Sequence, residues 1–508
     1  MSASITFPNY PTSNRVPGSF ADFDSSKANT ATQNLRTLII GQTLTTGTAT
    51  PGMPALAAGL GDVQAKYGMG SELAQMYQFY RLSDTFREVW CLPVADPQDT
   101  KASITLTPTG TTSGSGVVYL YIAGSPINPV VPVVLSNGMT AIEVGAAIAA
   151  AVNAIPTMPV TASVSSATGA VTLTSVHAGL IGNQIDVRLN YRGAAAGESL
   201  PNGITITFSG GTQAGNGYFL SGGSVNPQIS AALANLAGDK TFDFIINPYT
   251  DATNLAAMTL FLNDQTGRWS WQQELFGGAW GVFAGTLGAL TTFGNSMNDQ
   301  HTQIMGIYDS PTPVYLWATD VTANCAVSIA SNPALPLQYL SLNVYPPPLE
   351  SRFDMTERNT LLYDGISTFI VDDSGTVQIE RMCTTYQKNA AGAADNSYLD
   401  TETLYTLAAG ISDLRTFIQS NYLTGKILVS DGSRIPYGSA MVTAQTILTG
   451  VIGRYQTHCT IGWAQNPKQF AQQALAQNAG NGLVKLMLPY MVADQLRQVA
   501  MLVQFTKP

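Results

Sequence analysis

Between Ala102 and Leu180 only Glu143 carries a formal charge. Along the same stretch, apolar residues alternate with Thr and Ser in "ITLTPTG", "GVVYLYIAG" and "VTASVSSATGAVTLTS", with glycine-containing turns between the runs. Alternation with period two puts successive side chains on opposite faces of a strand. One face is then apolar, and the other is kept wet by hydroxyls instead of charges. Thr, Val and Ile also favour the extended backbone. The stretch therefore predicts a small antiparallel β domain with one Ala-rich helix, Ala141–Ala154, continuing through "NQIDVRLNYRG" and "GITITFSGG" to about Ser224.

A different texture flanks it. "RTLIIGQ" (Arg36–Gln42) reads as a buried strand, Ser71–Asp84 as a helix capped by Ser71, and Arg87–Val94 as a second strand. Strand, helix, strand predicts a βαβ unit and a parallel sheet. The same texture resumes after the β region. Pro227–Gly238 reads as a helix, Thr241–Tyr249 as a strand, and Asp251–Gln265 as a helix capped by Asp251 with Leu255, Met258 and Leu262 on one face. "GGAWGVFAG" and "HTQIMGIYD" are further strands with a helix between them. This order predicts an α/β and α+β multidomain chain in which an α/β core is interrupted by an antiparallel β domain. A third region begins near "PPPLE". It holds a hairpin over Ser367–Met382, an amphipathic helix over Asp400–Ser420 with Leu404, Leu407, Ile411, Leu414 and Ile418 on its apolar face and Asp/Thr at its cap, and helices near Thr443–Tyr455 and Pro467–Asn478. In the last stretch Val499, Met501, Val503 and Phe505 alternate, as one face of a strand would. That strand is either the last of its own domain or one shared with another chain. The expected divisions are 1–33, 34–97, 98–224, 225–350 and 351–508.

Composition excludes several function classes. Charged residues make up 11% of the chain and the net charge is −9, with no Lys/Arg run; an ordinary soluble domain carries about 25% charged residues. Direct nucleic-acid binding needs a basic stripe that this chain lacks. Its most apolar run, Val144–Ile155, is too short and too Ala-rich to insert into a membrane. No basic, apolar leader opens the sequence, and the four cysteines, Cys91, Cys325, Cys383 and Cys459, have no CxxC spacing, so a reducing cytoplasm is expected.

Sites of catalysis are not legible. Gly425-Lys426 is followed by Ile427 and fails the phosphate-loop pattern, and neither GxSxG nor HExxH occurs. His177, His301 and His458 share no ligand spacing and read as ordinary histidines. Asp373-Ser374-Gly375 sits between two strand-like runs, where a tight turn requires those residues. Asp372 and Asp373 point to opposite sides of an extended chain, which makes them poor acid/base partners. "TERNTLLYDGI" (Thr356–Ile366) fits equally a charged interface and a capped, solvated helix. No catalytic residue, metal or cofactor is expected. A subtilisin-like hydrolase would need a triad, and none is legible; a glycan-gripping insert would need an aromatic cluster, and Tyr119 and Tyr121 stand alone.

Near the start, Ser13–Ala28 holds the turn Pro17-Gly18 and two aromatics, Phe20 and Phe23, in a segment with neither helical nor strand periodicity. Such a segment builds no core of its own. Together with "FDFIINPYTD", "YDSPTP", "MTERNTLLYDGI", "DNSYLDTETL" and "QLRQVAMLVQF", the motif "RVPGSFADFDSSKA" resembles, in order and almost end to end, the Mu-like tail sheath proteins of contractile phages. The resemblance implies a subtilisin-like core without protease activity. It implies hexameric rings stacked helically around an inner tube, contracting to drive that tube through a bacterial envelope for genome ejection. It implies an N-terminal linking arm (Arg15, Val16, Pro17, Gly18, Phe20, Phe23) and a C-terminal linking strand (Val499, Met501, Val503, Phe505) that reach other copies. The partners it implies are further copies of the chain and the tail tube, baseplate and tail terminator proteins. The place it implies is the virion tail, assembled in the host bacterial cytoplasm. A sheath from a headless contractile bacteriocin or a defective prophage fits the same motifs.

Overall fold

The computed structural model describes residues 35–507 apart from 216 and 237. The chain enters on β1 (Arg36–Gln42), makes a short β2 (Ala55–Leu56), and turns through α1 (Leu60–Tyr67) and α2 (Glu72–Ser83) into β3 (Glu88–Val94). Strands β1 and β3 pair in parallel, from Arg36 opposite Glu88 to Gln42 opposite Val94. Ser71 caps α2 by accepting a bond from the amide of Ala74 at 3.1 Å.

The charge-poor region follows as β4 (Lys101–Gly110), β5 (Gly116–Ile122), β6 (Val131–Leu135), α3 (Ala141–Asn153), β7 (Val160–Val164), β8 (Val171–Ala178), β9 (Asp186–Leu189), β10 (Ile204–Ser209), β11 (Thr212–Ala214) and β12 (Gly217–Phe219). They form two sheets, β10-β4-β8-β7 and β11-β12-β9-β5-β6, with antiparallel pairing throughout. Their inner faces and α3 share one core, including Ile104, Leu106, Val118, Leu120, Val144, Ile148, Leu173 and Val187. The single charge of this stretch has a structural use. Glu143 completes a capping box at the start of α3: its Oε2 accepts from the Thr140 amide at 2.8 Å, and Thr140 Oγ1 accepts from the Glu143 amide. Close packing fixes Gly145 on the same helix, where a Cβ would stand 1.9 Å from the Gly169 carbonyl oxygen.

The chain then passes through α4 (Ser230–Leu233), β13 (Phe244–Ile246), α5 (Ala252–Leu262), β14 (Gly278–Ala284), α6 (Leu287–Ser296), β15 (Thr302–Ile307) and α7 (Val314–Ser331). Strands β13, β14 and β15 join the first sheet in the order β15-β14-β13-β1-β3-β2, all parallel except β2. Both faces of this sheet are covered. Ile39, Val89, Phe244, Ile246 and Trp280 pack against α2 and α7, whereas Leu38, Ile40, Leu92 and Ile245 pack against α4 and α5. Asp251 caps α5, and Leu255, Met258 and Leu262 are its buried face, as the sequence predicts.

Polar seams fasten the antiparallel sheets to the parallel one. His177 on β8 accepts the Glu72 amide at Nε2 (2.9 Å) and bonds Asp96 through Nδ1 (2.6 Å). With Nε2 accepting, Nδ1 is the ring atom that donates to Asp96. Arg188 on β9 donates to Asp186 at 2.9 Å and to Asp309 at 2.8 Å, and all three side chains are buried. Glu72 lies in the first of these seams. The Gln42 amide and the Tyr249 hydroxyl both donate to its Oε2 at 2.8 Å.

The last region comprises α8 (Met355–Tyr363), β16 (Thr368–Val371), β17 (Val377–Arg381), α9 (Thr401–Ile418), β18 (Ile427–Leu428), β19 (Met441–Val442), α10 (Ala444–Thr460), α11 (Pro467–Gln473), β20 (Leu475–Asn478) and β21 (Val484–Met487). Tyr405, in the first turns of α9, lies under the parallel sheet; Trp280 Nε1 donates to its hydroxyl at 2.9 Å, and that hydroxyl donates to the Asp243 carbonyl at 2.8 Å. Farther on, α9, α10, α11, β20 and β21 close a small core around Leu414, Val451, Tyr455 and Phe470, with the Tyr455 and Phe470 rings stacked at 3.7 Å.

Several elements differ from the sequence reading. The helix expected over Pro227–Gly238 is helical only at Ser230–Leu233, and the strand at Thr241–Tyr249 pairs only at Phe244–Ile246. Asp400 makes no side-chain cap on α9, because its carboxylate pairs with arginines instead. On that helix Leu404 and Leu414 are buried, while Ile411 is exposed. The segment Pro467–Asn478 divides into helix α11 and strand β20, which pairs with β21.

Burial pushes the Glu72 carboxyl up to about 8, against the pull of the bonds from Gln42 and Tyr249. A carboxyl raised on folding keeps its proton in the native state where the unfolded chain has lost it, so stability falls as pH rises from the ordinary carboxylate range toward that value. The expected slope is about 1.4 kcal/mol per pH unit. Glu72→Gln, which mimics the protonated group, should flatten this dependence and be the more stable form at the alkaline end. Urea midpoints of the unassembled subunit across that window measure it.

Candidate assembly surfaces

The sequence features that invited a catalytic reading all have structural partners. Asp372 Oδ1 accepts from the amides of Ser374 and Thr376 at 2.9 Å each, which makes Asp373-Ser374-Gly375 a hairpin turn between β16 and β17. Each histidine is buried against an aspartate: His177 on Asp96, His301 on Asp264 at 3.1 Å, and His458 on Asp413 at 2.7 Å. The segment that fits either an interface or a capped helix is α8, closed by an Asp354–Glu357 capping box; its Arg358 pairs with Glu380 at 2.8 Å. Tyr121 is buried and donates to Glu198, so it offers no platform for a sugar ring. Among the described residues no group of His, Cys, Asp and Glu has the arrangement of a metal site. No helix of the described residues is long and apolar enough to cross a membrane.

The surface carries the informative features. From 498 to 507 every residue is exposed and none belongs to a helix or strand. Val499, Met501, Val503 and Phe505 are 70, 82, 79 and 84% exposed, and Leu502 between them is 88% exposed. The strand expected here is therefore absent from the single chain, and so is the docking that a last strand of its own domain would show. An extended segment has no backbone partners until a sheet edge supplies them. The other predicted contact residues, Arg15, Val16, Pro17, Gly18, Phe20 and Phe23, lie outside the described residues.

Strands β20 and β21 form a two-stranded sheet, with Leu475 opposite Met487 and Asn478 opposite Val484. Ala476, Val484 and Leu486 pack on the small core of the last region, while Leu475 and Met487 are more than half exposed. Among the described residues no further strand pairs with either outer edge. Sequence reasoning missed this hairpin because "LAQN" and "VKLM" are short and straddle a helix signal; the turn "NAGNG" between them was the available cue. An ion cluster stiffens the helices beneath it. Arg454 and His458, both on α10, bond Asp413 on α9, and the Tyr490 hydroxyl bonds the other ring nitrogen of His458 at 3.0 Å.

The described residues thus combine an exposed apolar tail with a two-stranded sheet that no further described strand extends. The chain belongs to the phage tail sheath family, and its function is that of a contractile tail sheath subunit. A family model for the phage tail sheath protein central domain matches residues 222–385. Over 507 residues, 99% of each chain, the sequence is 32% identical to the Mu-like prophage FluMu tail sheath protein of Haemophilus influenzae (strain ATCC 51907 / DSM 11121 / KW20 / Rd). Among solved structures, the sheath tail protein Lin1278 of Listeria innocua aligns with TM-score 0.42 and 11% identity over 90% of this chain and 95% of that one. The contracted PVC sheath complex of an extracellular contractile injection system aligns with TM-score 0.41 and 8% identity over 98% and 99%.

Burial alone would raise the Asp413 carboxyl, but the bonds from Arg454 and His458 outweigh it and hold the group well below the usual carboxylate range. Stability from a depressed carboxyl is present above its unfolded pKa of about 3.9 and is lost as pH falls below that value. Asp413→Asn should cost about 1–2 kcal/mol at neutral pH and lose less on acidification than the parent, as read from thermal unfolding of the unassembled subunit at stepped pH.

Proposed function

We propose that this chain is a non-enzymatic subunit that forms hexameric rings stacked helically around a tail tube, and that the rings contract to drive the tube through a bacterial envelope. The observation that carries this reading is the pairing of an unsatisfied tail with an unsatisfied sheet on one subunit. Val499, Met501, Leu502, Val503 and Phe505 are 70–88% exposed, and among the described residues no further strand pairs with the outer edges of β20–β21. A tail strand added to the hairpin of another copy supplies backbone bonds worth on the order of 1 kcal/mol each, plus apolar burial. The Arg15–Phe23 segment serves as the second such link at the other end of the chain. Lattice cohesion then resides in flexible joints while the bodies rotate and slide between two packings.

In this reading the parallel sheet with α2, α5 and α7 is the subtilisin-like core, and residues 98–224 are a domain inserted into it and directed outward. A fold of that kind carries no activity without its site. The baseplate, tail tube and tail terminator are the expected partners, and the tail of the virion, assembled in the bacterial cytoplasm, is the expected place. Low charge suits the role, since side surfaces that meet in the contracted lattice desolvate few ions.

Deleting 499–508 from the purified protein tests the linkage. The full chain should form striated hollow tubes by negative-stain electron microscopy, and the truncated chain should remain a folded monomer. Tubes of normal yield and length from the truncated chain would remove the C-terminal strand from the linkage.

A further inference from the structure

The C-terminal segment keeps a series of ties to the body, although Asp494 and Leu496 are already exposed. Gln465 donates its amide to the Met491 carbonyl at 3.0 Å, Ala464 and Val492 form a β-bridge, and Gln338 Nε2 donates to the Leu496 carbonyl at 3.3 Å. Arg497 is then held by two carboxylates. Its Nη2 lies 2.9 Å from Glu402 Oε2 and 2.9 Å from Asp400 Oδ1. Its side chain is 12% exposed and that of Glu402 is fully buried. Two residues later Val499 is 70% exposed. The last tie between this segment and the body is therefore one ion cluster.

That cluster is tied into the body from several sides. Asp400 and Glu402 stand at the start of α9, where the helix dipole favours carboxylates. Glu402 Oε1 accepts the Leu337 amide at 2.5 Å, and Asp400 also holds Arg381 on β17 at 2.7 Å. Tyr405, one turn along the same helix, is bonded beneath the parallel sheet. Arg497 meets both carboxylates through Nη2 alone, while its Nε and Nη1 are buried without a hydrogen-bond partner, so two negative charges converge on one end of its guanidinium. That convergence explains why Asp400, at the cap position of α9, spends its carboxylate on arginines and not on the helix amides.

We infer that Arg497, clamped by Glu402 and Asp400, is the anchor from which the C-terminal linking arm departs, so that tension on the arm is delivered to α9 and the parallel sheet. This rests on the linking-arm reading above. Residues up to 497 stay with their own subunit in every lattice state, and the swing of the arm is confined to the chain beyond them. Arg497 is a positioning residue: it acts through the arm, and its loss should matter only when an arm is present.

The test compares three forms of the otherwise complete chain: Arg497→Met, the charge-free pair Arg497→Met/Glu402→Gln, and the 499–508 deletion. The pair removes both ions together, which avoids leaving a buried carboxylate without its cation and so guards against simple misfolding. Subunits are checked for folding by near-UV circular dichroism, and tube formation is read by sedimentation and electron microscopy. Both substituted forms should fold, yet assemble with an apparent affinity at least about tenfold weaker than the parent, a change of about 1.4 kcal/mol. If the charge-free pair folds and assembles as the parent does while the deletion fails, the anchor is wrong and the arm stands. If the deletion also assembles normally, the arm reading falls and takes the anchor with it. Hydrogen exchange of the parent subunit provides a check independent of any variant: the Ala493 amide, which donates to the Trp463 carbonyl at 3.2 Å, should be protected and those at 499–507 should exchange freely, and protection running into 499–507 would overturn the proposal.

Discussion

A parallel sheet with apolar residues on both faces has to be covered on both, and the rest of this molecule is arranged around that requirement. Leu38 and Ile40 point to one side of β1 and Ile39 to the other, and all three are fully buried. Helices α2 and α7 close one face, and α4 and α5 close the other. The last region joins this arrangement through Tyr405, which bonds Trp280 and Asp243 from beneath. The antiparallel sheets join it through His177 and Arg188. The seams are polar and buried, so sliding one sheet past the other would strand charges in a low-dielectric interior. Large relative motion inside the body is expensive, and movement belongs at the places where the chain has no partners.

The sequence was most readable where one physical rule acted alone. Strand β1 was predicted at the bounds observed because a short apolar run between polar residues has few alternatives. Helix α5 was legible because Asp251, Leu255, Met258 and Leu262 satisfy the cap and the helical period together. The turn at Asp372–Gly375 was legible because its side-chain bonds are local. Reading failed where a distant partner decided the outcome. Asp400 has the right type and place for a helix cap, but Arg381 and Arg497 claim its carboxylate. Strand β20 follows α11 with little change in composition, and only pairing with β21 makes it extended. Of the candidate contact residues, Val499, Met501, Val503 and Phe505 alternate as a strand would but are exposed and unpaired in the single chain.

The three histidines show how a buried polar group can imitate a site. Each sits within hydrogen-bond reach of an aspartate, the geometry that orients a general base. Each is also enclosed. Asp96 and His177 lock β8 to α2, and Asp413 and His458 lock α9 to α10. His301 stacks on Trp269 at 4.7 Å. In a chain with so few charges these buried pairs act as isolated rivets, and most of the exposed surface is left to uncharged side chains that lose little on contact with another copy.

The central claim is that an unpaired tail of one subunit completes an unpaired hairpin of another. The most direct measurement is a cryo-electron microscopy reconstruction of the assembled sheath at a resolution that traces the backbone. We predict that the chain beyond Arg497 continues as an extended strand hydrogen-bonded to the outer edge of β20 or β21 of a different copy. A tail folded against its own subunit, with the edges of β20 and β21 facing solvent throughout the lattice, would contradict it.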